Sequence, residues 1–448
     1  MLPEYISKAV PVPREKRAPW YVNTAPSYAG VFLWVAFYQT IANDTISRAG
    51  IGVCLLGLAV AGLLSWALFY YAPAMLGMKT GYTLYVVGSS TFGTRGGYLM
   101  PGVLMGLLQV GWFAVATSLS TVFILKGANL LRGVPAEPQP GSAVFILVAV
   151  VWGYILGYVG VKGIQYVAKV ALYLNLIAFL MVLVVFLQTS GGLSGRTVTN
   201  PEPWAAFTLL IQVVIGFFAT AGAAGADFCM NNRNATDVRW GGFVGIAVAV
   251  LYAGGLPLTS VAGARALHPE LTSFGYDAAI GSIGGFLATA MFFLFAIASI
   301  APACFCAFIT GNSFATMFPK IPRMVSTMTG VTIAIVLAIT GVATNLIGVF
   351  TIVGASFGPI CGAITADYLL SGRRWAGPRE GINWAGYISW ALGFLVGIIP
   401  FLPVSQGFKD AAQPAVVWSY VVGFVVYAVL AKAGLQPKLA PLSEVAGA

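Results

Sequence analysis

The chain has 448 residues, of which 59% are hydrophobic and only 8% are charged, and its formal net charge is +10. Soluble domains carry about 25% charged residues, so this composition excludes a soluble protein and indicates a polytopic membrane protein. A strongly basic chain can also be a nucleic-acid binder, and the placement of the basic residues decides between the two.

Twelve apolar segments are predicted to cross the membrane as helices, because each is near or above the ~20 residues that a tilted helix needs. The prediction is therefore an all-α integral membrane protein with twelve transmembrane helices. We number the segments spans 1 to 12 in chain order: 24–46, 50–74, 97–125, 142–160, 166–189, 206–229, 240–262, 281–311, 325–344, 346–370, 384–403 and 414–433.

Basic residues in the loops between these spans test the topology. An even number of spans places both termini on one side, and 17 of the 23 Lys and Arg residues then fall on that side. The positive-inside rule therefore predicts that both termini are cytoplasmic and that the protein is a multi-pass protein of the cell (inner) membrane. Because the positive charge follows the topology, we expect the lipid bilayer as a partner and no nucleic acid.

The centre of span 6 is the poorest helix-forming part of that span. Gly222 and Gly225 each weaken a helix by about 1 kcal/mol relative to Ala, and the aromatic pair Phe217 and Phe218 precedes them. At membrane depth, backbone leaves the helix only where protein or a water-filled cavity supplies hydrogen-bond partners. The stretch therefore points to a solute site in a broken helix, as in transporters. Alternatively, the same small residues form a face for close helix packing.

The first ten spans divide into five and five, so that span 6 corresponds to span 1 and both are expected to be interrupted, span 1 around 33–38 and span 6 around 220–225. The predicted organisation is a cytoplasmic N-terminal segment (1–23), a ten-helix inverted-repeat transport core (24–370), two peripheral transmembrane helices (371–433) and a cytoplasmic C-terminal tail (434–448). We see no residue-level repeat, so this division depends on the placement of the weak segments.

Span 3 offers a second polar and aromatic pair. Gln109 and Trp112 are three residues apart and share one helical face. An amide beside a large ring could hydrogen-bond and stack a planar heterocycle, with Phe217 and Phe218 as the opposite wall and Thr220 at the ligand edge. The alternative is a Trp in ordinary helix packing beside a satisfied Gln.

Signals for catalysis are weak. His268 is the only histidine and lies in a predicted loop, the carboxylates lack metal-ligand spacing, and there is no phosphate-binding GxxxxGK[ST] loop. We therefore predict that the protein is not an enzyme, that it has no metal site and that it needs no cofactor beyond a coupling ion. Asp227 and Asp367, at the inner ends of spans, are expected to pair with Arg233 and Arg373, with a proton-relay role as the alternative.

Five motifs in order along the chain resemble the nucleobase:cation symporter-1 family, most closely its cytosine/purine permease-like members, with the hydantoin transporter as a more distant relative. They are Pro-Val-Pro-Arg-Glu-Lys-Arg at 11–17, Gln-Val-Gly-Trp-Phe at 109–113, Ala-Gly-Ala-Ala-Gly-Ala-Asp-Phe at 221–228, Ala-Asp-Tyr-Leu-Leu-Ser-Gly-Arg-Arg at 366–374 and Ile-Asn-Trp-Ala-Gly-Tyr-Ile-Ser-Trp at 382–390. The resemblance implies a five-plus-five inverted-repeat fold of the leucine-transporter type with two extra C-terminal helices.

The resemblance also implies a small planar heterocycle as substrate, held between a span 3 Trp and a span 6 aromatic, which are Trp112 and Phe218 in this sequence. The substrate-binding set carried over by motif is Gln109, Trp112, Phe217, Phe218, Thr220 and Ala221.

The coupling cation is less well defined. In sodium-coupled members, two neighbouring hydroxyl residues of span 8 bind the ion together with carbonyls from the span 1 break. The ion-binding candidates carried over are Leu33, Phe37 and Ser299, but Ala301 and Pro302 stand where the paired hydroxyls are expected. Na⁺ would lose oxygen ligands there. The coupling ion is thus H⁺ or Na⁺, and we expect little dependence on sodium.

The function predicted from the sequence is a secondary active transporter that imports a nucleobase or related heterocycle (cytosine, purine, hydantoin or allantoin-like) by cation symport. Alternating access would take place around broken helices 1 and 6. The alternative from another class is a non-transporting membrane receptor or channel-like protein, and an intramembrane enzyme is a distant third.

Overall fold

The structure is a computed structural model that describes residues 2–28, 38, 41–134, 136–162, 164–195 and 198–441. The secondary-structure elements of these described residues are all helices. Nine of its helices are long and apolar enough to cross a membrane, and two further apolar helices are shorter. In chain order these eleven are Ile51–Thr80, Gly96–Leu131, Ala143–Lys162, Tyr173–Ser194, Pro203–Ala223, Ala235–Leu267, Gly285–Met317, Arg323–Ile339, Ile347–Leu370, Trp384–Gly397 and Ala415–Lys432.

Each of these helices coincides with one of the predicted spans 2 to 12. Most of span 1 lies outside the described residues, so the count of twelve stays a prediction. Span 5 begins earlier than its most apolar part, at Ile164, and span 10 begins at Leu346.

Several spans are built from more than one helical segment. π-helical turns, which are often found at functional sites, interrupt spans 2, 3 and 7, and single residues interrupt spans 6 and 8. The segments are Ile51–Leu64, Ser65–Tyr70 (π) and Tyr71–Thr80 in span 2; Gly96–Tyr98 (3₁₀), Leu99–Val103 (π) and Leu104–Leu131 in span 3; Pro203–Ala223 and Gly225–Cys229 in span 6; Ala235–Gly242, Phe243–Val248 (π), Val250–Gly254 (π) and Gly255–Leu267 in span 7; and Gly285–Ala298 and Ile300–Met317 in span 8.

Short helices occupy the termini and the loops. The α-helices are Glu4–Ser7, Thr24–Tyr28, Ala42–Thr45, Leu84–Val87, Ser89–Phe92, Tyr276–Ile283 and Gln406–Ala411, and the 3₁₀-helices are Arg14–Lys16, Ser190–Gly195, Val342–Thr344 and Ile399–Phe401.

Small residues let span 6 approach its neighbours closely. A Cβ atom on Gly222 would lie 2.8 Å from the Cβ of Phe69 in span 2, and one on Gly216 would lie 2.4 Å from the carbonyl oxygen of Phe350 in span 10. Such approaches are impossible for a larger residue without a backbone shift. The glycines of span 6 therefore serve close packing, which is the alternative that the sequence left open.

The described ends of the chain, near Tyr5 and Ala440, lie at the same end of the molecule. Tyr5 donates a hydrogen bond of 2.7 Å to the Thr94 carbonyl, the Thr94 N–H donates to the Arg379 carbonyl, and the Ala440 N–H donates to the Pro378 carbonyl. The N-terminal segment, the loop between spans 2 and 3, and the C-terminal segment thus meet. An even number of crossings between the termini explains this arrangement.

Candidate functional site

Trp112 joins span 3 to spans 6 and 10 in the interior. Its side chain is only 5% exposed, and its Nε1–H donates to Thr220 Oγ1 at 3.3 Å. The indole meets the ring of Phe217 edge-on, with centroids 4.7 Å apart, and the ring of Phe350 at a 33° tilt and 4.9 Å. Phe218 in turn contacts Phe217 at 5.0 Å. We call Trp112, Phe217, Phe218 and Phe350 the aromatic cluster.

The aromatic cluster is closed around the indole. A flat ligand stacked between two aromatic walls needs ring centroids about 7 Å apart, because each face takes one van der Waals contact of about 3.5 Å. At 4.9 Å, Phe350 occupies a face on which such a ligand would stack. The sequence predicted a gap of one ring between Trp112 and Phe218, whereas the structure packs Phe217 and Phe350 against the indole. The reason is the close approach of spans 6 and 10 at Gly216.

Gln109 lies one turn before Trp112 on the same helix and is 6% exposed. Its Nε2–H donates to Met105 Sδ at 3.7 Å. A thioether is a weak acceptor, so the amide can exchange this contact for a stronger one with a ligand at little cost. The predicted role of Gln109 in ligand binding is therefore compatible with this contact.

The interruption of span 6 is narrower than the predicted stretch. The helix continues through Thr220 to Ala223, Ala224 takes φ −64° and ψ −3°, and a new helix begins at Gly225. The carbonyl of Ala221 accepts a hydrogen bond of 2.8 Å from the Tyr28 hydroxyl. Thr220 and Ala221 are therefore helical, and the break follows them instead of including them.

Of the three ion-binding candidates, only Ser299 lies within the described residues. Leu33 and Phe37 lie outside the described residues, as does the predicted break of span 1. Ser299 is fully buried and forms the joint between the two helices of span 8. Its hydroxyl donates to the Ala296 carbonyl at 2.6 Å, and the oxygen lone pairs stay available as acceptors.

Asp227 does not have the partner that the sequence predicted. Arg233 pairs with Asp237, at 3.1 Å, because the two side chains are four residues apart along the chain at the start of a helix. Asp227 instead accepts a hydrogen bond of 3.3 Å from the backbone N–H of Leu84, in the loop between spans 2 and 3.

The predicted partner of Asp367 is also wrong. Arg379 supplies the guanidinium, at 3.6 Å from Asp367, and not Arg373. Gly372 and Arg373 have positive φ of 70° and 60°, so the chain turns sharply there and a later Arg returns to the carboxylate. Within the described residues, no group of three or more His, Cys, Asp or Glu side chains could hold a metal ion.

Comparison with known proteins extends this description. Residues 11–423 match the family described as permeases for cytosine/purines, uracil, thiamine and allantoin. The cytosine permease of Escherichia coli (strain K12) is 27% identical over 351 residues, which cover 74% of this chain and 76% of that protein.

Solved structures share the fold at low sequence identity. Mhp1, a nucleobase-cation-symport-1 family transporter in a closed conformation with bromovinylhydantoin bound, superposes with a TM-score of 0.69 at 17% identity, covering 99% of this chain and 98% of that chain. The inward-facing conformation of Mhp1 also gives 0.69, at 14% identity, covering 97% of this chain and 95% of that chain. A Na⁺-coupled sialic acid symporter gives 0.55 at 13% identity, covering 98% and 93%.

These structural matches show the fold alone, whereas the family match covers nearly the whole chain. The resemblance found in the sequence motifs is thereby confirmed, and the protein is a membrane transporter and not an enzyme. The chain belongs to the family of permeases for cytosine/purines, uracil, thiamine and allantoin, within the nucleobase:cation symporter-1 family.

Proposed function

We propose that this protein is a secondary active transporter that imports a nucleobase or a related planar heterocycle by cation symport. The observation that carries the proposal is the buried contact between Trp112 and Thr220, which combines an aromatic face and a hydroxyl beside the interruption of span 6. The similar proteins support it, because cytosine and bromovinylhydantoin are both planar heterocycles with polar edges.

The ligand would stack on the indole of Trp112 at the place where Phe350 now lies. Stacking adds about 0.5–1.5 kcal/mol per aromatic pair beyond the burial of area. The Gln109 amide and the Thr220 hydroxyl would then form hydrogen bonds with the polar edge of the ring. Binding therefore requires Phe350 to withdraw, and span 10 to shift with it or the side chain to change its rotamer.

The fold that we propose has twelve transmembrane helices, with two inverted repeats of five and spans 11 and 12 at the periphery. Alternating access takes place around interrupted spans 1 and 6. The protein lies in the cell (inner) membrane with both termini in the cytoplasm. Support comes from the eleven apolar helices of the described residues, from the termini at one end and from the distribution of Lys and Arg.

The coupling cation that we propose is H⁺, with Na⁺ as the alternative. In span 8, Ser299 is the hydroxyl residue nearest to Ala301 and Pro302, which stand where the paired hydroxyls are expected, and a Na⁺ site needs several oxygen ligands. One charge moved through a membrane potential of 100 mV supplies about 2.3 kcal/mol, so a proton is sufficient to drive accumulation.

Uptake by proteoliposomes tests the proposal. Cytosine, a purine, uracil, hydantoin and allantoin, each radiolabelled, are offered separately under an imposed pH gradient and under an imposed sodium gradient, with the others as unlabelled competitors. We expect accumulation that depends on the pH gradient and is inhibited by at least one competitor. Uptake driven by sodium alone contradicts proton coupling, and failure of every heterocycle to be transported contradicts the substrate class.

Two substitutions in the aromatic cluster sharpen this test. Trp112→Ala removes the stacking face and should weaken ligand binding about tenfold or more. Phe350→Ala removes the ring that covers that face, so binding should be kept or strengthened and bulkier heterocycles admitted. Trp240→Ala, on a side chain that is 52% exposed, is the matched control. Equal affinity in Trp112→Ala and the parent protein would contradict the site.

A further inference from the structure

The end that carries both termini contains a buried polar group centred on Asp367, at the end of span 10. Its carboxylate accepts hydrogen bonds from the Ser90 hydroxyl at 2.6 Å and the Tyr427 hydroxyl at 2.9 Å, and it lies 3.6 Å from the Arg379 guanidinium. The Asp367 side chain is only 4% exposed. A carboxylate buried to this extent is tolerated because it is paired and hydrogen-bonded. We call Ser90, Asp367, Arg379 and Tyr427 the Asp367 hub.

A short C-terminal segment, residues 436–440, lies against this hub, and we call it the C-terminal strap. Its bonds are of two kinds: backbone pairing with the loop between spans 10 and 11, and side-chain bonds to members of the hub. They are Glu380 N to Lys438 O at 2.9 Å, Ala440 N to Pro378 O at 2.8 Å, Gln436 Nε2 to Tyr427 Oη at 2.9 Å and Arg379 Nη1 to Pro437 O at 3.3 Å.

The hub is connected in turn to the inner end of span 6 by the loop between spans 2 and 3. Ser90 belongs to this loop, and its carbonyl also accepts from Arg379 Nε at 3.0 Å. At its other end, the loop donates the Leu84 N–H to Asp227 of span 6. Contacts are therefore continuous from the C-terminal strap through the Asp367 hub and this loop to span 6, which carries part of the aromatic cluster.

We propose that the C-terminal strap is a latch that holds this end of the transporter closed, and that its release separates the loop between spans 2 and 3 from span 6. One part of this proposal rests on the proposed transport function, namely that substrate passes through the opening. The opening itself can be measured without substrate. Residues 436–440 would then set the balance between closed and open states by the free energy of a few hydrogen bonds.

Cys229 reports the opening because it lies two residues after Asp227 on the same short helix. Its thiol is fully buried at the end of span 6, within 3.1 Å of the Tyr70 hydroxyl and 3.5 Å of the Asn232 amide nitrogen. A maleimide reaches it only when the segments around it part, because only an accessible thiolate is alkylated. Cys54, also fully buried, lies in the first turn of span 2, near the opposite end, and supplies the reference site.

The experiment uses the full chain in lipid nanodiscs, with Cys229 as the single cysteine in one set and Cys54 in the other. Deletion of 436–448 should raise the alkylation rate of Cys229 by about tenfold or more. The deletion removes two hydrogen bonds to the hub, one with the charged Arg379 and one with the buried Tyr427. Deletion of 442–448 keeps the strap and is the matched control, with an expected rate equal to the parent. Tyr427→Phe removes one shared hydroxyl and should give a smaller increase.

A selective rise at Cys229, with the rate at Cys54 unchanged, supports the latch. An unchanged Cys229 rate after deletion of 436–448 overturns it. An equal rise at both cysteines also overturns it, because the strap would then be a general stabilising element. Failure of the transporter to import any heterocycle would leave the alkylation result standing, so the two proposals fail separately.

Discussion

The end that carries both termini and the opposite end each hold one buried ion pair, Asp367–Arg379 and Lys126–Asp277, and they differ in the contacts around it. At the first, the side chains of Asp367 and Arg379 are 4% and 11% exposed, and the surrounding loops share backbone hydrogen bonds. At the second, the Lys126–Asp277 pair borders an open cleft, and the further pair of Arg48 and Glu202 is 46% and 60% exposed. The cleft has a volume of about 750 Å³.

This difference indicates which end opens at the smaller cost. An exposed ion pair contributes about 0–1 kcal/mol, whereas the loss of one partner from a buried pair costs about 3–5 kcal/mol. At the rim of the cleft, the backbone N–H of Glu270 and the ring of His268 lower the pKa of the Glu270 carboxyl, so this solvated group stays ionised. We therefore expect closure at the end with the termini to be the stronger of the two.

The largest effect is expected from Asp367→Ala. The substitution leaves the largely buried Arg379 guanidinium without its carboxylate, and it should lower the free energy of unfolding by about 3–5 kcal/mol. Asp367→Asn keeps one acceptor oxygen, for either the Ser90 or the Tyr427 hydroxyl, and should lose less. Equilibrium unfolding in mixed detergent micelles measures both, with Asp44→Ala, whose side chain is 40% exposed, as control. A loss for Asp367→Ala no larger than that of the control would remove the asymmetry between the ends.

An intermediate effect is expected from Lys126→Met at the opposite end. The Lys126 ammonium bonds Asp277 and Glu137; Lys126 and Asp277 are 12% and 9% exposed, whereas Glu137 is 72% exposed. Methionine keeps the length of the stem and removes the charge, and water in the cleft can hydrate the Asp277 carboxylate that is left, so we expect a loss of about 1–3 kcal/mol. Lys8→Met, on a side chain that is 73% exposed, is the matched control. A loss as large as that of Asp367→Ala would show that the two ends are equally strong.

The helices were largely predictable because an apolar run of membrane length seldom forms anything except a transmembrane helix. Span 10 was predicted at 346–370 and is Leu346–Leu370, since Asn345 caps its start and the chain turns at Gly372. Span 2 continues to Thr80, beyond its predicted end at 74, and ends where Gly81 takes a positive φ of 77°.

Span 8 was predicted from 281, but its helix begins at Gly285, after a separate helix that ends at Ile283. Gly284 and Gly285 both have positive φ, of 70° and 59°. The Gly-Gly pair was the available signal, and hydropathy alone did not reveal it, because glycine does not interrupt an apolar run.

The candidate site was only partly predictable. Trp112, Phe217 and Thr220 meet in the structure, and their polar and aromatic character stands out within apolar spans. Phe350 was missed because an aromatic residue in an apolar run looks the same whether it faces lipid or the interior. Only the packing of span 10 on Gly216 brings it to the indole, and no local pattern carries that information.

The smallest effect is expected from Arg48→Ala, which removes the ion pairs to Asp44 and Glu202 at the end opposite the termini. Both partners are well exposed, so solvent screening leaves these pairs a contribution of a few tenths of a kcal/mol at most, and less in high salt. The loops stay joined in the variant, because the Glu202 N–H donates to the Arg48 carbonyl at 2.8 Å, and alanine keeps that carbonyl. Unfolding measured in low and high salt should therefore give nearly equal stabilities for the variant and the parent protein. A loss above about 1.5 kcal/mol would contradict the weak contribution expected of exposed pairs, and a loss above about 5 kcal/mol would reverse the expected order of opening.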